Sequence, residues 1–145
     1  MVRKVKRTPR QGEFWDGRRD HLRDVRRELA AAWAACGVTD SGDYRRLTNA
    51  LFEAAFGMDV WAYRRHKHLP NDGTASLRDH MDEAELAVTF LAESLATFLL
   101  RRKRPRGYEA VEAVTRDAGA IAGRTRFELE RRVGHVSRGA AAVAG

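Results

Sequence analysis

From Ala84 to Leu100 the chain is apolar almost without pause, and Val88, Leu91, Leu95 and Phe98/Leu99 recur at the three-and-four spacing of a helix face. Leu86 and Phe90 widen that face beyond one stripe. A helix with so broad an apolar surface is expected at the centre of a bundle, packed on more than one side. Glu85 and Glu93 interrupt it, so the segment is too short and too polar to cross a bilayer. The basic start, MVRKVKRTPR, has no apolar run behind it and is not a secretory signal. The single cysteine, Cys36, follows an alanine-rich apolar run and is expected to be buried. With no internal disulfide possible, a soluble protein of a reducing cytoplasm is expected.

The other elements follow the same period, and no alternating β-branched run signals a strand. A first helix is expected from about Asp16 to Ala35, with Leu22, Val25, Leu29, Ala32 and Cys36 on one face and Gly37 as its stop. A second runs from about Asp43 to Phe56, with Tyr44, Leu47, Leu51 and Ala54/Ala55 inward, and closes at Gly57. Asp59 is read as the N-cap of a short third helix through VWAYRRHKH, before the loop PNDGTAS. Ser76 with Asp79, then Asp82 with Glu85, are successive capping patterns ahead of the central helix, with Leu77 and Met81 as anchors. Pro105 ends that helix. The last spans about Tyr108 to Val133, with Val111, Val114, Ala118, Ile121/Ala122, Thr125 and Leu129 inward.

Gly119 and Gly123 lie four apart in that last helix, each costing about 1 kcal/mol of helix propensity against alanine. A close crossing with another helix explains them. The expected fold is therefore all-α, a bundle of about five to six helices over residues 16–134. A basic, mobile arm (1–15) precedes it and a frayed tail (135–145) follows. Phe14, Trp15, Trp33 and Trp61 are scattered, which favours core packing over a base-stacking platform.

The net charge of +7 is unevenly placed: residues 1–10 carry +5 and 101–106 carry +5, against −4 for 11–100 and +1 for 107–145. Charge gathered this way attracts polyanions far better than the same charge spread evenly. Arg3, Lys4, Lys6, Arg7 and Arg10 form one candidate phosphate-contacting cluster, and Arg101, Arg102, Lys103, Arg104 and Arg106 a second. Arg64, Arg65 and Lys67 make a possible third. Such contacts give affinity without sequence readout.

An enzyme is not expected. Asp79 beside His80 invites a catalytic reading, but neighbours on a helix point about 100° apart, and capping explains Asp79 without a substrate. His66 and His68 face different sides of a helix and complete no metal set, so neither metal nor cofactor is expected.

Four stretches in order resemble the C-terminal domain of the DNA-damage-inducible protein D (DinD) family: HLRDVRRELAAAWAACGVT, DYRRLTNALFEAAFGMDVWAYRRHKHL, LRDHMDEAELAVTFLAES and GYEAVEAVTRDAGAIAGRTRFELERRVG. The clearest motif is Leu77, Asp79, His80 and Met81 followed by Glu85 and Leu86; a second is Gly123–Arg124. The resemblance implies an SOS-linked regulator of phage or mobile-element type, acting in damage response, recombination or repression. Its implied partners are single- or double-stranded DNA, or a DNA-bound recombinase or repressor protein, with no membrane. It implies no catalytic residues. The BRO-type N-terminal domain usual in the family has no counterpart here, which implies a stand-alone form of the module. The alternative is a protein-binding module of phage-antirepressor type, acting through a helical groove or as a homodimer built on Gly119 and Gly123.

Overall fold

In a computed structural model, residues 11–72, 74–134 and 136 are described; residues 1–10 of the predicted arm (1–15) and most of the predicted tail lie outside them. The order is α1 (Gln11–Ala35), α2 (Ser41–Phe56), α3 (Val60–His66), a 3₁₀ turn (Arg78–His80), α4 (Glu83–Lys103) and α5 (Tyr108–Val133). The fold is all-helical as expected, with no strand among the described residues. α1 begins at Gln11, ahead of the start expected near Asp16.

Local chemistry sets most boundaries. Asp40 accepts the Asp43 N–H at 3.2 Å to start α2. Gly57, at φ 77°, turns its N–H onto the Glu53 carbonyl to end it. Asp59 accepts the Ala62 N–H at 2.8 Å and opens α3. Asp82 and Glu85 form a reciprocal capping box on α4, each side chain accepting the other's N–H at 2.8 Å. The pattern Ser76–Asp79 does not cap a helix. That segment is the 3₁₀ turn, which starts after Leu77 without a side-chain cap. The Ser76 carbonyl accepts the Asp79 N–H at 3.2 Å and lies 2.9 Å from His80 Nδ1.

Contacts fix the helix directions. His21 meets Phe90, Arg26 meets Glu93 and Cys36 meets Leu100, so α1 and α4 run parallel. Arg46 lies over Tyr108 and Ala55 meets Arg126, so α2 and α5 run parallel. α4 turns back into α5 within residues 104–107, completing an up–down–up–down bundle with α3 and the 3₁₀ turn in the α2–α4 crossover. Trp33, Tyr63, Phe56, Leu29, Leu47, Leu51, Leu100 and Val111 are fully buried, and Trp33 Nε1 donates to Thr115 Oγ1 at 3.2 Å. Gly119 and Gly123 on α5 have the predicted role. A Cβ on Gly119 would stand 2.7 Å from the Leu51 carbonyl oxygen, and one on Gly123 2.6 Å from that of Ala54. Because α2 fills this face, the same glycines cannot form a homodimer interface.

α4 is central, as its apolar breadth predicts, but its inward face is not the expected one. Phe90 and Phe98 are exposed, while Glu85, Thr89, Glu93 and Thr97 are buried in a row one turn apart. The small residues Ala92 and Ala96 sit beside them. α1 and α5 both pack against α4. The glutamates tolerate burial because cations reach them from other elements. On α5, Ile121 and Thr125 are likewise exposed rather than inward. Trp61 is also exposed, against the core placement expected for it.

Candidate nucleic-acid interface

The buried row on α4 decides which basic residues are committed to internal partners. Glu85 accepts from the Tyr63 hydroxyl, from Lys67 Nζ at 2.8 Å and from the Asp82 amide. Burial alone would push its carboxyl up. The hydrogen bonds from Lys67, Tyr63 and Asp82, with the Lys67 charge, outweigh that and hold it below the ordinary carboxylate range. Eight residues on, Glu93 pairs with Arg78 of the 3₁₀ turn and lies 3.7 Å from Arg26 of α1. Arg26 also donates to Thr48 Oγ1 and lies over the Trp33 ring. Burial pushes the Arg26 guanidinium down, Glu93 opposes that, and Arg78 adds to it.

A pH dependence follows from Glu85. Its folded pKa is depressed, so its contribution to stability is present above the unfolded value, about 4.3. It is lost as pH falls through the folded value. Denaturation midpoints should therefore drop on acidification below about pH 4.5. Glu85→Gln should be less stable near neutrality and show a flatter acid limb. An acid limb unchanged in Glu85→Gln would exclude this residue as the source.

The three predicted basic clusters fare differently. Lys67 is held by Glu85, and Arg64 donates to the carbonyls of Ala75 and Pro70, both at 2.7 Å. These two residues tie the 70–76 loop and α4 together, and only Arg65 of that group is exposed without such a role. Arg3, Lys4, Lys6, Arg7 and Arg10 lie outside the described residues.

Arg101, Arg102, Lys103, Arg104 and Arg106 are all exposed at the end of the bundle where α1 and α4 finish. Arg101, Arg104 and Arg106 rim a cavity of about 700 Å³ floored by Ala32, Ala35, Cys36, Leu100 and Pro105. Arg106 Nη1 donates to the Ala35 carbonyl at 2.9 Å, and the guanidinium lies over Gly37, so it also latches the two loops of that end. Arg104, at φ 51°, takes the left-handed conformation that turns the chain toward α5. Glu28, 3.9 Å from Arg101, is an exposed partner. An exposed pair of that kind holds weakly and can be exchanged for a phosphate.

The family-motif residues mostly serve packing. Leu77, Met81, Glu85 and Leu86 are buried, Gly123 makes the α2 crossing, and Asp79, His80 and Arg124 are at exposed positions. Among the described residues no three of His, Cys, Asp and Glu are grouped to hold a metal ion, and no helix is long and apolar enough to cross a membrane. Sequence reasoning passed over Glu93, Arg26, Arg78 and the exposed Phe98. The glutamates carried a usable signal, since a charge inside an apolar helix needs a partner of opposite sign.

No curated protein and no solved structure matches the chain. The family model of the DinD C-terminal domain matches residues 17–134, and the chain belongs to that family.

Proposed function

We propose that this domain is a non-enzymatic regulator in the DNA-damage response that engages DNA, or a protein filament assembled on DNA, in the cytoplasm. The contact is the basic end of the bundle, with the cations of residues 1–10 adding to it. The observation that carries this reading is the arginine-rimmed cavity: five exposed cations in six residues, three of them around an apolar recess. The family's association with DNA damage supports the same class of partner. Phosphate contacts of this type release counterions, so binding should be steeply salt-dependent and weakly sequence-selective.

The test is a titration of labelled single- and double-stranded DNA at two salt concentrations. With about five phosphates neutralised, affinity should fall by roughly two to three decades between 50 and 200 mM salt. Neutralising Arg101, Arg102, Lys103 and Arg104 together should flatten the logarithmic salt slope by about 3. Arg106 is left in place because it also braces the Ala35 carbonyl. Absence of binding at low salt would remove this reading.

A second reading has its own observation. α5 exposes Ile121 in a groove lined by Arg124, Thr125, Glu128, Leu129 and Arg132, and Phe127 in a neighbouring one lined by Ala54, Ala120, Gly123 and Arg126. Exposed apolar side chains in adjoining grooves suit a protein partner or a second copy. Phe127→Asp leaving the mass in solution and the DNA affinity unchanged, with no protein partner lost, would remove it.

A further inference from the structure

We infer that Phe98 is a base-stacking platform, and that the basic end of the bundle therefore selects an unpaired nucleotide in a single strand over duplex DNA. This rests on the nucleic-acid reading above and names the ligand of that same surface.

Phe98 is 55% exposed on the outward side of a helix whose inner face holds two glutamates and two threonines. The most apolar ring on that turn faces solvent while polar side chains are buried. Its setting is cationic: Arg102 lies with its guanidinium 5.6 Å from the ring centroid, and Arg101, three residues on, rims the cavity. Arg101 and Arg102 follow the ring at helical spacings of three and four, so both cations stand one turn beyond it, placed to meet the phosphate next to a base lying on Phe98. The other exposed rings lack this arrangement. Phe90 is stacked on His21 at 5.1 Å, Trp61 is on α3, and Phe127 is on α5. A half-exposed ring among cations, with Arg102 over it, accepts any base, because every base has a π-face, but only when that face is not already stacked in a duplex.

The experiment uses the full chain and three ligands: a labelled oligothymidylate, a strand of the same length made of abasic sites, and a duplex. Phe98→Ala, Phe98→Leu and Phe98→Trp are compared with the parent, their folding checked by circular dichroism. The expected result is that Phe98→Ala and Phe98→Leu each weaken oligothymidylate binding by about tenfold, while Phe98→Trp preserves it. The abasic strand should bind the parent about as weakly as oligothymidylate binds Phe98→Ala, and duplex affinity should be insensitive to all three changes. Full affinity in Phe98→Leu would show a merely apolar contact and overturn the inference. Equal losses on abasic and base-bearing strands would do the same. In either case, a salt slope still flattened by neutralising residues 101–104 would leave the broader nucleic-acid reading standing. No binding of any strand at low salt would overturn both.

Discussion

Glu93→Ala is expected to destabilise the domain by about 3–5 kcal/mol, a large share of the total stability of a domain this size. Glu93 is fully buried on α4, and its carboxylate is shared by Arg78 from the 3₁₀ turn and Arg26 from α1. Truncation removes the carboxylate that, among the described residues, both guanidiniums share, and leaves two part-buried cations facing each other. Arg26 Nη1, Arg78 Nη1 and Glu93 Oε1 make no hydrogen bond to the described residues, so the cluster is far from the fully satisfied limit. Replacing all three together by apolar residues, as in Arg26→Met, Arg78→Met and Glu93→Leu, should therefore recover most of the loss. Urea denaturation of the single and triple variants measures both. A Glu93→Ala midpoint close to the parent's would show that the pairs contribute nothing, and a triple variant weaker than the single would show that the charges themselves are needed.

The helix crossing between α2 and α5 gives the second large effect. Alanine at Gly123 should gain about 1 kcal/mol of helix propensity. Its Cβ would also come within 2.6 Å of the Ala54 carbonyl oxygen, a backbone atom that cannot rotate away. Overpacking of this kind costs about 1–3 kcal/mol and should win. Gly119→Ala meets the Leu51 carbonyl oxygen and the Ala54 Cβ, both at 2.7 Å, with the same expected sign. The double variant should cost less than the sum, because one outward shift of α2 relieves both contacts. Gly17 on α1 supplies the control, since a Cβ there meets nothing within 4 Å. Gly17→Ala should be stabilising by up to about 1 kcal/mol. If all three substitutions stabilised the fold, the close crossing would not be what fixes these glycines.

Helix starts and stops were legible because their chemistry is local: Asp59, Asp82 with Glu85, Gly37 and Gly57 act within four residues of themselves. Gly119 and Gly123 were legible as well, since a repeated propensity cost calls for a steric explanation. The facing of α4 was not. Apolar ranking places Phe90 and Phe98 inside and the glutamates outside. The outcome instead turns on cations supplied by Arg78 and Lys67, fifteen and eighteen residues away, and by Arg26 on another helix. Ser76–Asp79 misled for a related reason: the same spacing that caps a helix also fits a 3₁₀ turn. At the interface, the charge of residues 101–106 could be read directly. Its union with Cys36 and the alanines of α1 could not, because that depends on α1 and α4 running parallel.

The parallel course of α1 and α4 also makes α1 a ruler. Its 25 residues span about 37 Å, from Gln11 to the end of the bundle that carries Arg101–Arg106. At 3.4 Å per base pair, a duplex as long as that helix has about eleven base pairs, close to one full turn. Oligonucleotide length is thus a geometric variable: a ligand held at Arg101–Arg106 would need about that length to run the whole course of α1.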